Sequence, residues 1–524
     1  MLEKPDKKLL TRISSYNYLS LTTILRVFTE IVVQIVLAKN FGASRYVDAF
    51  YIALVLPNLI LFVLTSSLRN IFIPTFTEER IKNGEASAWR VASSLCNTLI
   101  LFLTIITIIG ILTANIWIKY LAPGLMPFTM SLAAQLTRIL LPIIVIGGAI
   151  ITLDVVFYCY EQFRQPAIAS MCRIIIYVAI VLIFTPILGI QATAFGIIFG
   201  YLINLILQIL FLGNYRHSYY IGIDWKSPSF RKLLGFWFQL LLLSLLFRFS
   251  PLIDRHFASQ LSEGSVSHLA YATSFLSLVG LLCSNNVALI LFPAIANTVF
   301  TDDKKRLSSL AVRSICASAF ITFPIFIIIL TLGEQILRLL FQRGQFRPED
   351  ARVISTILIY ASGAIIFPII TSTTANILYS LKKIKFLTLQ AVAVLTIQVL
   401  VIILFFPALG IYALGLTASI ISLTSATMHV AFLMKQKLII PADGKMGLIN
   451  LLRQAGCALG MAIICHSGNI ILNQMKLDTL TLFLGLSFSI VLGVGVYWVF
   501  SIVLHVEEIR QVNFKLYLKS FTKI

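Results

Sequence analysis

Arg26 and Glu30 stand four residues apart in an otherwise apolar run, TILRVFTEIVVQIVL at 23–37. On a helix that spacing puts both on one face. They then either neutralise each other or present a cation that attracts phosphate beside a carboxylate that tunes it. An ionisable group at membrane depth costs roughly 2.5–3.5 kcal/mol on insertion scales, so each such residue needs a partner or a use. The same test selects Asp48, Asn58, Arg248, Asp254 and Arg255 as candidate substrate-binding residues. Asp48 follows the Phe41-Gly42 turn and reads as a site carboxylate or as a cap for the second helix. Asn58, after Pro57, reads as a site group or as a partner for carbonyls that the proline frees. Arg248 precedes a proline in LLLLSLLFRFSP at 240–251, and Asp254-Arg255 forms either an outer gate or a local ion pair. Arg69 fits a snorkelling anchor. Arg138 and Arg173 are the remaining arginines in apolar runs, and Asp154 and Glu161 frame the end of a fourth run, where water can solvate them.

Motifs for covalent chemistry are missing. There is no G-x-x-x-x-G-K-[ST], no H-E-x-x-H and no G-x-S-x-G, so neither ATP hydrolysis nor metal- or serine-based hydrolysis is expected. The seven cysteines, Cys96, Cys159, Cys172, Cys283, Cys316, Cys457 and Cys465, form no C-x-x-C pair and lie mostly in apolar runs. They read as small buried residues, with no metal and no cofactor implied. The embedded charges, Arg26, Arg138, Arg173, Arg248 and Arg255 against Glu30, Asp48, Asp154 and Asp254, leave a small cationic excess. That balance favours a phosphate-bearing ligand over a cationic one, because arginine binds phosphate oxygens in pairs.

The elements that must hold these residues are long and apolar. Of the 524 residues 59% are hydrophobic and 12% charged, where soluble domains carry about 25% charged residues. Apolar runs near 19–38, 47–68, 91–112, 133–153, 168–185, 189–212, 233–252, 268–292, 313–332, 352–372, 386–406, 410–434, 450–472 and 481–504 predict about fourteen transmembrane helices. A chain in lipid must satisfy its own backbone, and these runs lack the ten-residue alternation of a barrel, so an all-α integral membrane protein is expected. The net charge of +20 sits mostly in short loops: 28 of the 41 Lys and Arg fall on one side if the N-terminus is cytoplasmic, against 9 on the other. This bias places both termini in the cytoplasm, and no nucleic-acid partner is implied. The outer stretch holding Arg338, Arg343, Arg347 and Arg352 is the exception and fits a short interfacial helix.

The chain also repeats itself. FIPTF at 72–76 matches LFPAI at 291–295, Ala122-Pro123-Gly124 matches Gln342-Arg343-Gly344, and PILGI at 186–190 matches PALGI at 407–411. The offsets grow from 219 to 221, and Tyr158 and Arg164 fall on Tyr379 and Lys385. Six helices per unit, an even number, make a parallel repeat with a cleft expected between the halves. The expected division is a six-helix bundle at 1–215, a second at 216–440, and two further helices at 441–524.

Several segments resemble the MurJ (MviN) family of lipid II flippases, within the group of multidrug and polysaccharide exporters. They are FGASRYVDAFYIALVLPNL at 41–59, IFIPTF at 71–76, DRHFASQLSEGSVSHLAYA at 254–272, LFQRGQF at 340–346 and ILYSLKKIKF at 377–386. The resemblance implies a V-shaped bundle with a central cavity and two helices beyond the common twelve. It implies an undecaprenyl-diphosphate-linked substrate flipped from the inner to the outer leaflet of a bacterial inner membrane. The chain departs from the family at its cavity arginines. Those of the first helix fall on Val27 and Val33, those after the PNL motif on Leu61 and Phe62, and that of the eighth helix on Ser274.

The expectation is therefore a flippase for a lipid-linked peptidoglycan precursor, not an enzyme, driven by an ion gradient or the membrane potential. The expected partners are the lipid-linked substrate, membrane lipids and a monovalent ion, with the chain a monomer. A multidrug or cation exporter on the same fold and a non-transporting membrane scaffold are the alternatives.

Overall fold

The computed structural model describes residues 25, 27–213, 218–246, 248–280, 298, 303–381, 383–474 and 479–511. Every element among them is helical. The first compact unit, Met1–Ser267, holds α1 (27–41), α2 (Arg45–Ala53), α3 (Val55–Asn83), α4 (Glu85–Leu112), α5 (Ala114–Leu121), α6 (Pro127–Leu140), α7 (Ile143–Cys159), α8 (Arg164–Leu188), α9 (Gln191–Phe211), α10 (Pro228–Leu246) and α11 (Ser250–Ala258). A further helix, α12 (265–280), begins at its end. The second unit, His268–Ile524, holds α13 (Lys304–Phe341), α14 (Pro348–Tyr360), α15 (Gly363–Ile366), α16 (Pro368–Ser380), α17 (Ile384–Leu409), α18 (Ile411–Lys435), α19 (Pro441–Gln474), α20 (Thr479–Val503) and α21 (Glu507–Gln511).

Local chemistry sets these boundaries. Proline opens α6, α10, α14, α16 and α19, where its missing N–H costs nothing and its fixed φ is already helical. Gly189 and Gly410 close α8 and α17 at φ of 58° and 53°, a conformation that carries a steric penalty for residues with a Cβ. The break at Leu54, between α2 and α3, lies three residues before Pro57, which has no N–H to offer the carbonyl four residues back.

Eleven helices among the described residues are long and apolar enough to cross a membrane. The runs at 19–38 and 268–292 are described only in part. Outward-facing Leu112, Ile187, Leu404 and Phe488 are exposed, an arrangement that lipid rather than water stabilises. The chain is an all-α, multi-pass integral membrane protein. The repeat is also visible in the helix ends. α4 begins at Glu85 and α13 at Lys304, 219 residues on; α7 begins at Ile143 and α15 at Gly363, 220 on; α6 begins at Pro127 and α14 at Pro348, 221 on.

The cores of the two units differ in make-up. The first packs Phe72, Phe76, Trp89, Phe157 and Phe230 from α3, α4, α7 and α10. In the second, α19 and α20 bury Cys457, Met461, Cys465 and Tyr497 together with Ile327 and Leu332 of α13. The expected interfacial helix around Arg338–Arg352 is not there. α13 runs unbroken for 38 residues to Phe341, and Arg338 pairs with Glu334 one turn back at 2.5 Å. Arg343 lies in the turn that follows, Arg347 stands at the N-cap of α14, and Arg352 is part of α14, so the stretch is divided between two helices and the turn that joins them.

Candidate functional site

Two of the candidate residues of the first unit, Asp48 and Arg255, meet at the turn between α11 and α12. Asp48, on α2, is 2% exposed. Its carboxylate accepts the Gly264 N–H at 2.7 Å, the Ser267 N–H at 2.6 Å, and the Ser267 hydroxyl. Asp48 therefore does not cap its own helix, as its position after the turn suggested. It caps α12, whose first N–H groups have no partners within that helix. The cap of α2 is Ser44, which makes no side-chain cap bond. The contact requires glycine at 264. Its φ is +89°, and a Cβ there would stand 2.7 Å from the Ala43 carbonyl oxygen. Gly124, from the repeated Ala-Pro-Gly segment, packs as tightly on the same turn, where a Cβ would lie 2.3 Å from the Ser259 carbonyl oxygen.

Arg255, on α11, completes this cluster. Its guanidinium donates to the Val266 carbonyl at 3.3 Å and lies 5.7 Å from the Tyr51 ring, within the fields of Asp254 and Asp48. Two carboxylates, a half-buried cation and the dipole of a helix N-terminus thus meet over α2, α11 and α12. Negative charge at that terminus is favourable. The arrangement can hold or release the turn, and no group of three or more His, Cys, Asp or Glu that could hold a metal is found among the described residues.

Arg248 lies apart from that cluster, in the turn between α10 and α11, with its guanidinium 3.5 Å over the ring centroid of Phe62 on α3. Cation–π attraction at that distance fixes the cation on the aromatic face. Asn58 is exposed on α3; it is the N–H of this residue that donates to Leu54 O at 3.0 Å across the kink. Glu30 is exposed on α1. Arg26 lies outside the described residues, as does the side chain of Arg69.

Gly264, Ser267 and Tyr51 were not singled out as site residues. The signal for them was present: they belong to the two segments, 41–59 and 254–272, that carry the resemblance most specifically. Their role needed the long-range contact, because Asp48 and Ser267 are 219 residues apart.

The family model described as Lipid II flippase MurJ matches residues 37–488. A lipid II flippase MurJ of Burkholderia cenocepacia is 23% identical over 454 residues, covering 85% of this chain and 87% of its own. A probable lipid II flippase MurJ of Thermotoga maritima is 25% identical over 504 residues, covering 94% and 97%. Among solved structures, a lipid II flippase MurJ in an inward closed conformation superposes with a TM-score of 0.79 at 21% identity, over 94% of this chain and 99% of its own. An inward-facing multidrug transporter of the MATE family gives 0.67 at 15% identity, over 82% and 99%.

Proposed function

This chain belongs to the lipid II flippase MurJ family, and from that premise we propose that it moves an undecaprenyl-diphosphate-linked peptidoglycan precursor from the inner to the outer leaflet of a bacterial inner membrane. The observation that carries this reading is the family match over residues 37–488. Both termini are cytoplasmic, the chain works as a monomer, and a monovalent ion or the membrane potential drives it. No covalent step is involved.

The head group is held by a rearranged set of cations. The family's arginines after the PNL motif fall on Leu61 and Phe62 here, and the guanidinium of Arg248 rests on the ring of Phe62. Arg248 thus supplies from the α10–α11 turn the positive charge that α3 lacks, and a guanidinium can take diphosphate oxygens in pairs. Arg26, Glu30 and Asn58 are the further substrate contacts. Asp48, Asp254 and Arg255 form a latch on the α11–α12 turn that opens and closes in the transport cycle.

Depletion of the chain in its own host, followed by assay of lipid-linked peptidoglycan precursor in each leaflet, tests the reading. Accumulation on the cytoplasmic side is expected. An unchanged distribution with altered export of a cationic dye would assign the chain to drug export, and no change in either would leave a scaffold.

A further inference from the structure

The repeat offset brings two buried interhelical pairs into register. In the first unit Gln208 of α9 donates its amide N–H to Asp154 of α7 at 2.7 Å and to Asn204 at 3.0 Å. In the second unit His429 of α18 meets Thr374 of α16, Nδ1 to Oγ1, at 2.9 Å. Thr374 lies 220 residues after Asp154, and His429 lies 221 after Gln208. These offsets match those of the helix ends, so the two pairs occupy the same place in their repeats.

Each pair leaves one acceptor unfilled. Gln208 is 0% exposed, yet its Oε1 has no hydrogen-bond partner. His429 is 3% exposed, and its Nε2 has none. The tautomer follows from the neighbours. The Thr374 hydroxyl donates to Ile370 O at 2.7 Å, which uses its single hydrogen. Nδ1 of His429 must then carry a proton to bond Oγ1, and Nε2 is left as a bare lone pair. A buried acceptor without a donor costs about 1–3 kcal/mol. Two of them at repeat-related positions point to a donor that comes and goes.

We propose that each unit binds a proton at this place in its repeat, on Asp154 against Gln208 in the first and on His429 beside Thr374 in the second. In the first site a proton from water adds to the Asp154 carboxylate, and the new O–H donates to Gln208 Oε1. Acid and amide then share two hydrogen bonds in a ring, and a negative charge is removed. In the second site the proton adds to Nε2 and makes an imidazolium next to the Phe386 ring, whose centroid lies 5.8 Å from that of the imidazole. Asp154 is half-buried and lies five residues before the end of α7, which gives water a route to the first site. The ionisable groups around α7 include Glu79 and Arg80 on α3, Glu85 on α4 and Arg173 on α8. Glu79 is held by Asn83, Ser87 and Ser229, Glu85 accepts from Tyr160, and the two arginines lie over Tyr160 and Tyr201. Cys96 on α4, Tyr201 on α9 and Tyr158 and Cys159 on α7 itself complete that set. Around α18 they are Tyr360 on α14, Tyr379 on α16, Lys385 on α17 and Tyr412 and Lys435 on α18 itself.

The role of these protons in driving transport rests on the flippase reading, but proton binding is measured without any lipid substrate, so the two fail separately. Infrared difference spectra of the full chain, reconstituted in liposomes, are recorded between about pH 3 and about pH 8, a range wide enough to take a carboxyl and a histidine through both protonation states. A carboxylic-acid C=O band should appear at the lower pH and be lost in Asp154→Asn, which keeps a carbonyl acceptor for the Gln208 N–H and adds an amide donor for its Oε1. An imidazole ring band should titrate in the same range and be lost in His429→Gln. In liposomes with substrate, both variants should lose the dependence of flipping on internal pH. Bands unchanged in the two variants would overturn the proposal. So would a carboxyl band that sodium shifts at constant pH, which would identify an alkali cation as the ligand.

Discussion

A cation on an aromatic face and a carboxylate on a helix end are the two residue-scale features that stand out in the first unit. Arg248 over Phe62 makes a two-sided prediction. Arg248→Ala removes a charge-assisted contact to diphosphate of about 1.5–3 kcal/mol, so flipping in liposomes should fall roughly tenfold or more. Adding Phe62→Arg to that variant returns the cation to the family's place and should restore most of the loss. A double variant as slow as the single one would show that the Arg248 charge does not stand in for the missing arginine. Asp48 makes a stability prediction. Asp48→Ala leaves the Gly264 and Ser267 donors unmade in a buried site, at about 1–3 kcal/mol each. Thermal unfolding of the purified chain in detergent should show the loss, with Asp48→Asn intermediate. Two further arginines of the apolar runs have partners within the first unit. Arg138 donates to Ile111 O at 3.3 Å, in the last turn of α4, where carbonyls lack helical partners. Arg173 lies over Tyr201 at 5.0 Å.

At the scale of elements, polar staples at helix ends decide which helices stay together. The segment at 218–227, ahead of α10, is laid along α4. Ser93 and Ser94 accept the Tyr220 and Asp224 N–H groups at 3.0 and 2.9 Å, and Asn97 donates to the Tyr220 and Gly222 carbonyls at 3.1 and 2.7 Å. Glu79 then ties three helices beyond the membrane span. It is 6% exposed and accepts from Asn83 on α3, Ser87 on α4 and Ser229 on α10 at 2.9, 2.6 and 2.5 Å. Burial pushes its pKa up, but those three donors and the Lys82 charge outweigh burial and hold it below the ordinary 4.5. A carboxylate with a lowered folded pKa adds stability that is complete above its unfolded value and is lost as pH falls through the folded one. Stability of the chain should thus decline below about pH 4.5. Glu79→Gln should lower it at neutral pH and flatten that decline, as read by unfolding at a series of pH values.

For the whole molecule, the alternation of basic and sparse loops makes topology the sharpest test. Single cysteines within 69–90, around the α3–α4 turn, and within 381–386, around the α16–α17 turn, should label only from the cytoplasmic side in intact cells. Labelling of both from outside would overturn the orientation and, with it, the direction of flipping. An even number of spans in each repeat would put the two segments on the same side. The helix ends that recur at offsets of 219 to 221 show the same order of helices in both units. The departures between the repeats are local: α4 and α5 are two helices broken at Thr113, while their counterpart α13 is continuous.

By itself the sequence determined the solvent, the spans, the repeat and the family. Each of these depends on local or averaged properties, namely apolar length, proline and glycine at helix ends, and loop charge, and none needs a distant partner. The tertiary structure decided what the polar residues do. Asp48 reads the same along the chain whether it caps α2 or α12, and only a contact spanning 219 residues distinguishes them. Phe62 lies on α3 and Arg248 in the α10–α11 turn, so only the fold shows that the cation rests on that ring. Gln208 and His429 are ordinary polar residues in apolar runs until the fold shows that each keeps one buried acceptor unfilled. Periodicity along the chain reports which face of a helix is apolar, whereas hydrogen-bond satisfaction depends on what the neighbouring helix presents at that height.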